Sequence, residues 1–295
     1  MDVREYLREE FLEEAELGYL DDQELARRLA LFDGPMTGAV ETIMIKAEVP
    51  GATSPLSVRE DDAGISGEDS TISTPVGPLD IYVVRPTGAS GDLPGLVLIH
   101  ENQGLVPHIR DVARRLAALG YVVVAPDLLT PAGGAGSFPD GPARIAALGT
   151  LDREAMVTQL VAATDALAAL DGVDAGHLGA LGFCFGGGMT WMLATKAKQL
   201  KAAVPFYGPT PPIELVPEIT AAVLAIYGAL DERITGMAPD IEAAMAAANK
   251  SFDKEIYPEA QHAFHNDTNP DRYNPTAAAA AWARATTFLG AHLGK

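Results

Sequence analysis

The sequence predicts an α/β fold, with a mainly parallel sheet, helices on both faces and an N-terminal helical extension. Three observations carry that expectation. From residue 70 onward, short apolar runs alternate with stretches of helical length, the rhythm of a parallel sheet with both faces covered. Gly182-Phe183-Cys184-Phe185-Gly186 has an apolar run before it and a helical run after it, the pattern of a sharp strand-to-helix corner. The chain has 295 residues, 48% hydrophobic and 21% charged, enough for a sizeable core.

In chain order, residues 2–31 read as two acidic amphipathic helices. Tyr6, Leu7, Phe11, Leu12, Ala15 and Leu17 form an approximate stripe, and Leu25, Leu29 and Phe32 follow a capping Asp21 or Asp22. Residues 33–69 are rich in Gly, Pro and acidic groups and read as a linker with one short apolar patch, Ile43 to Val49. The expected domains are thus an arm and linker, 1–69, and a catalytic domain, 70–295. Ser70–Thr74 and Leu79–Arg85 form a hairpin around Val76-Gly77-Pro78. Strands follow at Leu96–His100, Tyr121–Pro126, His177–Phe183, Ala202–Tyr207, Ala222–Tyr227 and Lys254–Tyr257. Helices are expected at Asp111–Leu119, Arg153–Leu170, Met189–Leu200, Ile241–Ala248 and Thr276–His292. Leu129 to Gly141, rich in Gly, Pro and Ala, is a loop expected to line or cover a pocket. Trp191 and Trp282 lie in helices and are expected in the core.

Composition excludes several classes. Forty acidic against 21 basic residues give a net charge of −19, which repels phosphate backbones and anionic lipids, so nucleic acid is not an expected partner. No apolar run approaches the roughly 20 residues of a membrane span, so no membrane partner is expected either. Arg27-Arg28 is followed by only four apolar residues before Asp33, too few for an export signal. A single cysteine allows no internal disulfide and fits a reducing compartment; a cytoplasmic protein is expected. The acidic arm either docks one side on its own domain or packs on a second copy as a homodimer.

The chemistry centres on Cys184. At a strand-to-helix corner its thiol projects above the sheet beside a helix N-terminus, whose partial positive charge favours thiolate and whose N–H groups can meet an oxyanion. Ligands of parallel sheets bind beyond the C-terminal ends of the strands. Glu101, Asp231 and His262 all follow strand ends. A thiol is mostly un-ionised at neutral pH and wants a proton acceptor. His262 can take the proton, return one to a leaving group and activate water; Asp231 can hold its tautomer. Each also has a plainer reading: Cys184 as a core residue, Asp231 as a turn residue or helix cap, His262 as a loop histidine, Glu101 as a cap on the following helix.

The order nucleophile, acid, histidine is that of the α/β-hydrolases. Within that fold the chain resembles the dienelactone hydrolase family. The matches are His100-Glu101 with Gly104, Tyr121 to Leu128, Gly182 to Gly187, Tyr207-Gly208, Tyr227-Gly228 with Asp231, and His262-Ala263-Phe264. They span about residues 70–295. The resemblance implies a Cys184–His262–Asp231 triad, with Glu101 as an extra carboxylate that accepts the thiol proton when substrate binds. It implies an oxyanion hole from the backbone N–H groups of Phe185 and Asn102. Activity on esters or lactones through a thioester, without metal or organic cofactor, is the further implication. There are departures. The two arginines that hold a substrate carboxylate in dienelactone-cleaving members fall here at Thr130-Pro131-Ala132 and at Asn266. Arg144 and Arg272 are the nearest substitutes by sequence. Selectivity for anionic dienelactones is therefore not expected.

Two other readings compete. A metal-dependent hydrolase would draw on His100, His108, His262 and His265, but their spacing matches no two-histidine zinc motif. A non-catalytic binding protein on the same fold would account for the arm and the missing arginines.

Overall fold

The computed structural model describes residues 56–295; the two expected arm helices and most of the expected linker lie outside them. The described chain forms one eight-stranded sheet in the order β1-β2-β4-β3-β5-β6-β7-β8. The strands are β1 (Ile65–Thr74), β2 (Gly77–Pro86), β3 (Leu93–Ile99), β4 (Val122–Pro126), β5 (Val173–Phe183), β6 (Leu200–Phe206), β7 (Ala222–Gly228) and β8 (Phe252–Tyr257). From β4 to β8 every neighbouring pair is parallel. The β1–β2 hairpin joins antiparallel to the β4 edge. This is the mainly parallel sheet expected from the alternation of apolar runs, and the α/β-hydrolase architecture that the resemblance implies.

The central strands are apolar throughout because both faces are covered. One face packs against α1 (Pro107–Ala118) and α7 (Pro275–Leu293), around Leu98, Val204, Phe206, Ile109, Leu116 and Trp282. The other packs against α3 (Arg153–Ala168), α4 (Phe185–Lys196) and α6 (Ala238–Ala247), around Val97, Ala180, Ala203, Leu160, Trp191 and Ile241. Both tryptophans sit in these cores, as expected. Two short helices, α2 (Gly141–Gly149) and α5 (Glu232–Thr235), lie beyond the strand ends. Caps mark the starts: Asp140 accepts from Ala143 N at 2.9 Å, Asp152 from Glu154 N at 2.7 Å and Asn274 from Ala277 N at 3.0 Å.

Three differences from the sequence reading have physical causes. β1 begins at Ile65, inside the expected linker, because backbone pairing with β2 continues to Pro86 although most of its side chains are exposed. The expected loop Leu129–Gly141 contains two 3₁₀ turns and ends at the start of α2. Asp127 holds it to the body, its carboxylate accepting Leu129 N at 3.1 Å and Ala135 N at 2.7 Å. Helix α4 starts at Phe185, not at Met189, and takes in three glycines that propensity alone disfavours. Close approach explains them. A Cβ on Gly186 would stand 2.3 Å from the Ile99 carbonyl oxygen, and one on Gly187 would stand 2.3 Å from that of Phe206.

The obstacle at Gly186 is backbone, which cannot rotate away. Gly186→Ala should therefore destabilise the fold by about 1–3 kcal/mol, although alanine is the better helix former. A lowered urea midpoint at unchanged m-value is the expected outcome.

Candidate active site

Strand β5 ends at Phe183 and α4 begins at Phe185, so Cys184 alone makes the corner. It takes φ 56° and ψ −115°, a conformation that costs a side-chain-bearing residue of order 1–3 kcal/mol and persists only where the surroundings over-determine it. They do so here. Cys184 N donates to Phe206 O at 3.0 Å and Gly188 N donates to Cys184 O at 3.2 Å. A Cβ on Gly182 would lie 2.4 Å from the Gly186 carbonyl. The side chain is half-buried. Among the described residues, two of the three other non-glycine residues at positive φ, Tyr207 (35°) and Ala263 (65°), also border this corner or its histidine.

The loops after β7 and β8 bring two groups to the sulfur. His262 Nε2 lies 2.9 Å from Cys184 Sγ. Its Nδ1 lies 2.5 Å from Asp231 Oδ2, so a donor at Nδ1 leaves Nε2 free to accept from the thiol. Asp231 is buried directly after β7, and the Tyr207 ring crosses His262 edge-on at 5.3 Å between centroids.

Glu101 follows β3 and is buried. Asn266 Nδ2 donates to its Oε2 at 2.5 Å and Tyr207 OH to its Oε1 at 3.5 Å. Burial pushes its carboxyl above the ordinary value, against the pull of His108, Asn266, His262 and Tyr207. The Cys184 thiol is pushed up to about 12, first by burial and next by the charge of Glu101. The Phe185 N–H and the charge of Arg233 act the other way. His100, fully buried, has its Nδ1 2.5 Å from Glu101 O, while its Nε2 accepts from Leu128 N at 3.0 Å. Burial holds its pKa below the ordinary histidine value, so it acts as a neutral brace between β3 and β4.

The structure thus brings Cys184, His262 and Asp231 into contact, with Glu101 in the same site. The Phe185 N–H opens α4 beside the sulfur. Asn102 is half-buried in the turn after Glu101, and its backbone N–H makes no hydrogen bond among the described residues. Arg144 is half-buried on α2, its Nη2 donating to Gln103 Oε1 at 3.2 Å. Arg272 is exposed in the loop before α7. His265 is fully buried, its ring stacked 4.8 Å from Phe183 and 5.5 Å from Trp282, and burial drives its pKa well below the usual value. Among the described residues no three His, Cys, Asp or Glu are grouped to hold a metal ion, and no helix is long and apolar enough to cross a membrane.

The sequence reading did not single out Tyr207 or Asn266 as partners of Glu101, nor the pair His108–Asp267. Tyr207 carried a signal, since it opens a Tyr-Gly pair at a strand end. Asn266 enters the sequence reading only as a position lacking positive charge.

Comparison with known proteins places the chain in a family. The profile of the dienelactone hydrolase family matches residues 79–293. A Salmonella typhimurium protein named "Putative carboxymethylenebutenolidase" is 32% identical over 258 residues, 83% of this chain and 95% of its own. A Bradyrhizobium protein named "Probable 2-oxo-3-(5-oxofuran-2-ylidene)propanoate lactonase" is 32% identical over 72% of this chain and 89% of its own. The crystal structure titled "Putative Dienelactone Hydrolase" from Klebsiella pneumoniae superposes with a TM-score of 0.71 at 31% identity, covering 77% of this chain and 98% of that one. The chain is a hydrolase, and it belongs to the dienelactone hydrolase family.

Proposed function

We propose that this hydrolase cleaves uncharged carboxylic esters or lactones through a thioester on Cys184. The observation that carries the reading is the Sγ–Nε2 distance of 2.9 Å at a strained corner, with Asp231 behind the imidazole. The resting thiol is neutral, because burial and Glu101 both oppose its anion. As Sγ attacks the substrate carbonyl carbon, its proton passes to His262 Nε2 and the carbonyl electrons move to oxygen. The N–H groups of Phe185 and Asn102 are the proposed partners of that oxyanion. Collapse breaks the carbon–oxygen bond, and the imidazolium protonates the leaving alkoxide. Water then attacks the thioester, giving its proton to His262, and the departing sulfur recovers one.

The preference for uncharged substrates rests on two positions. The turn Thr130-Pro131-Ala132 carries no cation, and Asn266 is engaged with Glu101. Exposed Leu230, next to Asp231, and Ile213, in the turn following β6, add apolar surface at this end of the sheet. Homodimerisation through the N-terminal arm belongs to the same reading.

Cys184→Ala should lower p-nitrophenyl acetate turnover by roughly a thousandfold or more at unchanged thermal midpoint; activity near wild type in a folded variant would overturn the mechanism. Glu101→Gln removes a negative charge from beside the sulfur and so lowers the thiol pKa. Iodoacetamide labelling of the resting enzyme at pH 7.5, followed by intact mass, should accelerate by about tenfold, one pKa unit. An uncharged lactone should be cleaved with kcat/KM about tenfold above its carboxylate-bearing analogue, measured in parallel; the reverse preference would make Arg144 the substrate's anchor.

A further inference from the structure

An oxyanion hole made of backbone N–H groups needs its peptide planes held still, because a plane that swings takes its donor with it. The proposed donors belong to Phe185 and Asn102, and one side chain touches the chain at both. His100 directly follows β3 and is fully buried. Its Nε2 lies 3.0 Å from Leu128 N and its Nδ1 lies 2.5 Å from Glu101 O. Its ring lies within 18° of parallel to that of Phe185, with centroids 6.2 Å apart.

The first two contacts fix the tautomer. A backbone N–H only donates, so Nε2 is the acceptor; a carbonyl oxygen only accepts, so Nδ1 carries the hydrogen. An imidazolium would set its Nε2–H against the Leu128 N–H. Asp127 Oδ1, 3.9 Å from Nε2, is beyond hydrogen-bond reach. The tautomer in turn fixes a peptide. The Glu101 carbonyl and the Asn102 N–H belong to one trans, planar unit, so the two bonds point in opposite directions. A donor gripping Glu101 O therefore turns the Asn102 N–H away from the His100 ring, where it makes no hydrogen bond among the described residues.

We propose that His100 is a positioning residue for the oxyanion hole: its Nδ1–H locks the peptide that carries the Asn102 N–H, and its ring and backbone hold that peptide in register with Phe185.

The backbone of His100 adds a second point of register. A Cβ on Gly186 would stand 2.4 Å from His100 O, so residues 185 and 186 both abut residue 100, and the end of β3 is tied to the start of α4. Other groups on this turn do different work. Asn266 and Tyr207 hold the Glu101 carboxylate, which rotatable bonds separate from the peptide plane. Gly104, at φ 78°, packs under Leu129 and Ala135 and closes the turn two residues further on. Arg144 holds the side chain of Gln103. Only His100 grips the peptide unit of the Asn102 N–H.

The inference rests on the oxyanion hole of the proposed function, and two rates on one sulfur test it. Acylation by p-nitrophenyl acetate builds an oxyanion; alkylation by iodoacetamide, in which the sulfur displaces iodide, builds none. The amide oxygen of His100→Gln can still accept from Leu128 N, but its nitrogen does not stand at the Nδ1 position. The ratio of acylation to alkylation rate should there fall by about tenfold or more. The amide nitrogen of His100→Asn can take the Nδ1 position, and the ratio should stay within about threefold of wild type. A ratio unchanged within that margin in folded His100→Gln, or both rates falling in proportion, would overturn the proposal and leave His100 a packing brace. Wild-type enzyme gives a check that needs no stable variant. The Asn102 amide resonance should shift when trifluoroacetone takes the Cys184 sulfur onto its carbonyl as a hemithioketal; an unmoved resonance would remove the oxyanion role of Asn102 and the proposal with it. Failure of the thioester reading itself is seen separately, as turnover surviving in Cys184→Ala.

Discussion

The close approach of helix α4 to the ends of β3 and β6 is the constraint on which the rest depends. Backbone meets backbone there without room for a single methyl group, and the glycines at 182, 186 and 187 are what make it possible. Once the helix is that close, the chain has one residue in which to turn from β5 into α4. Cys184 accordingly adopts a left-handed φ that its side chain does not favour. The strain has a use: it lifts Sγ clear of the sheet and points it at the gap between the β7 and β8 loops. A relaxed corner would leave the sulfur in the core, where a lone cysteine usually resides.

Around that sulfur the electrostatics oppose each other. The N-terminus of α4 and Arg233 favour a thiolate, while burial, Glu101 and Asp231 disfavour it, and the second set prevails at rest. In the proposed mechanism the sulfur is needed as a nucleophile only when substrate arrives. The carbonyl carbon replaces the lost proton as the sulfur's partner, so the buried site need not hold a free anion in the resting state. His262 suits this arrangement because Asp231 fixes its tautomer with Nε2 toward the sulfur.

Much of this was legible in the sequence for a reason rooted in the fold. Strand ends in a parallel sheet point the same way, so reactive residues that follow apolar runs must gather at one edge. That is why Glu101, Cys184, Asp231 and His262 could be chosen without coordinates. What stayed hidden were interactions that depend on side-chain reach rather than strand position. Asn266 and Asp267 lie in a loop whose path is set by the left-handed turn at Ala263, and no periodicity records that turn. The early start of α4 was hidden because glycine runs ordinarily argue against a helix, and only the neighbouring carbonyls explain why these do not. β1 began earlier than expected because an edge strand with exposed side chains on most positions lacks the apolar signal of its neighbours.

The departures from the dienelactone-cleaving pattern gain a physical sense in this setting. At position 266 the family pattern has an arginine; an arginine beside Glu101 would supply both a hydrogen bond and a charge. Asparagine supplies only the hydrogen bond. A carboxyl this deeply buried then needs its positive counterpart from elsewhere, or it would take up a proton and cease to restrain the thiol. Asparagine thus keeps the hydrogen bond at the loop, and burial holds the Glu101 carboxyl above its ordinary value.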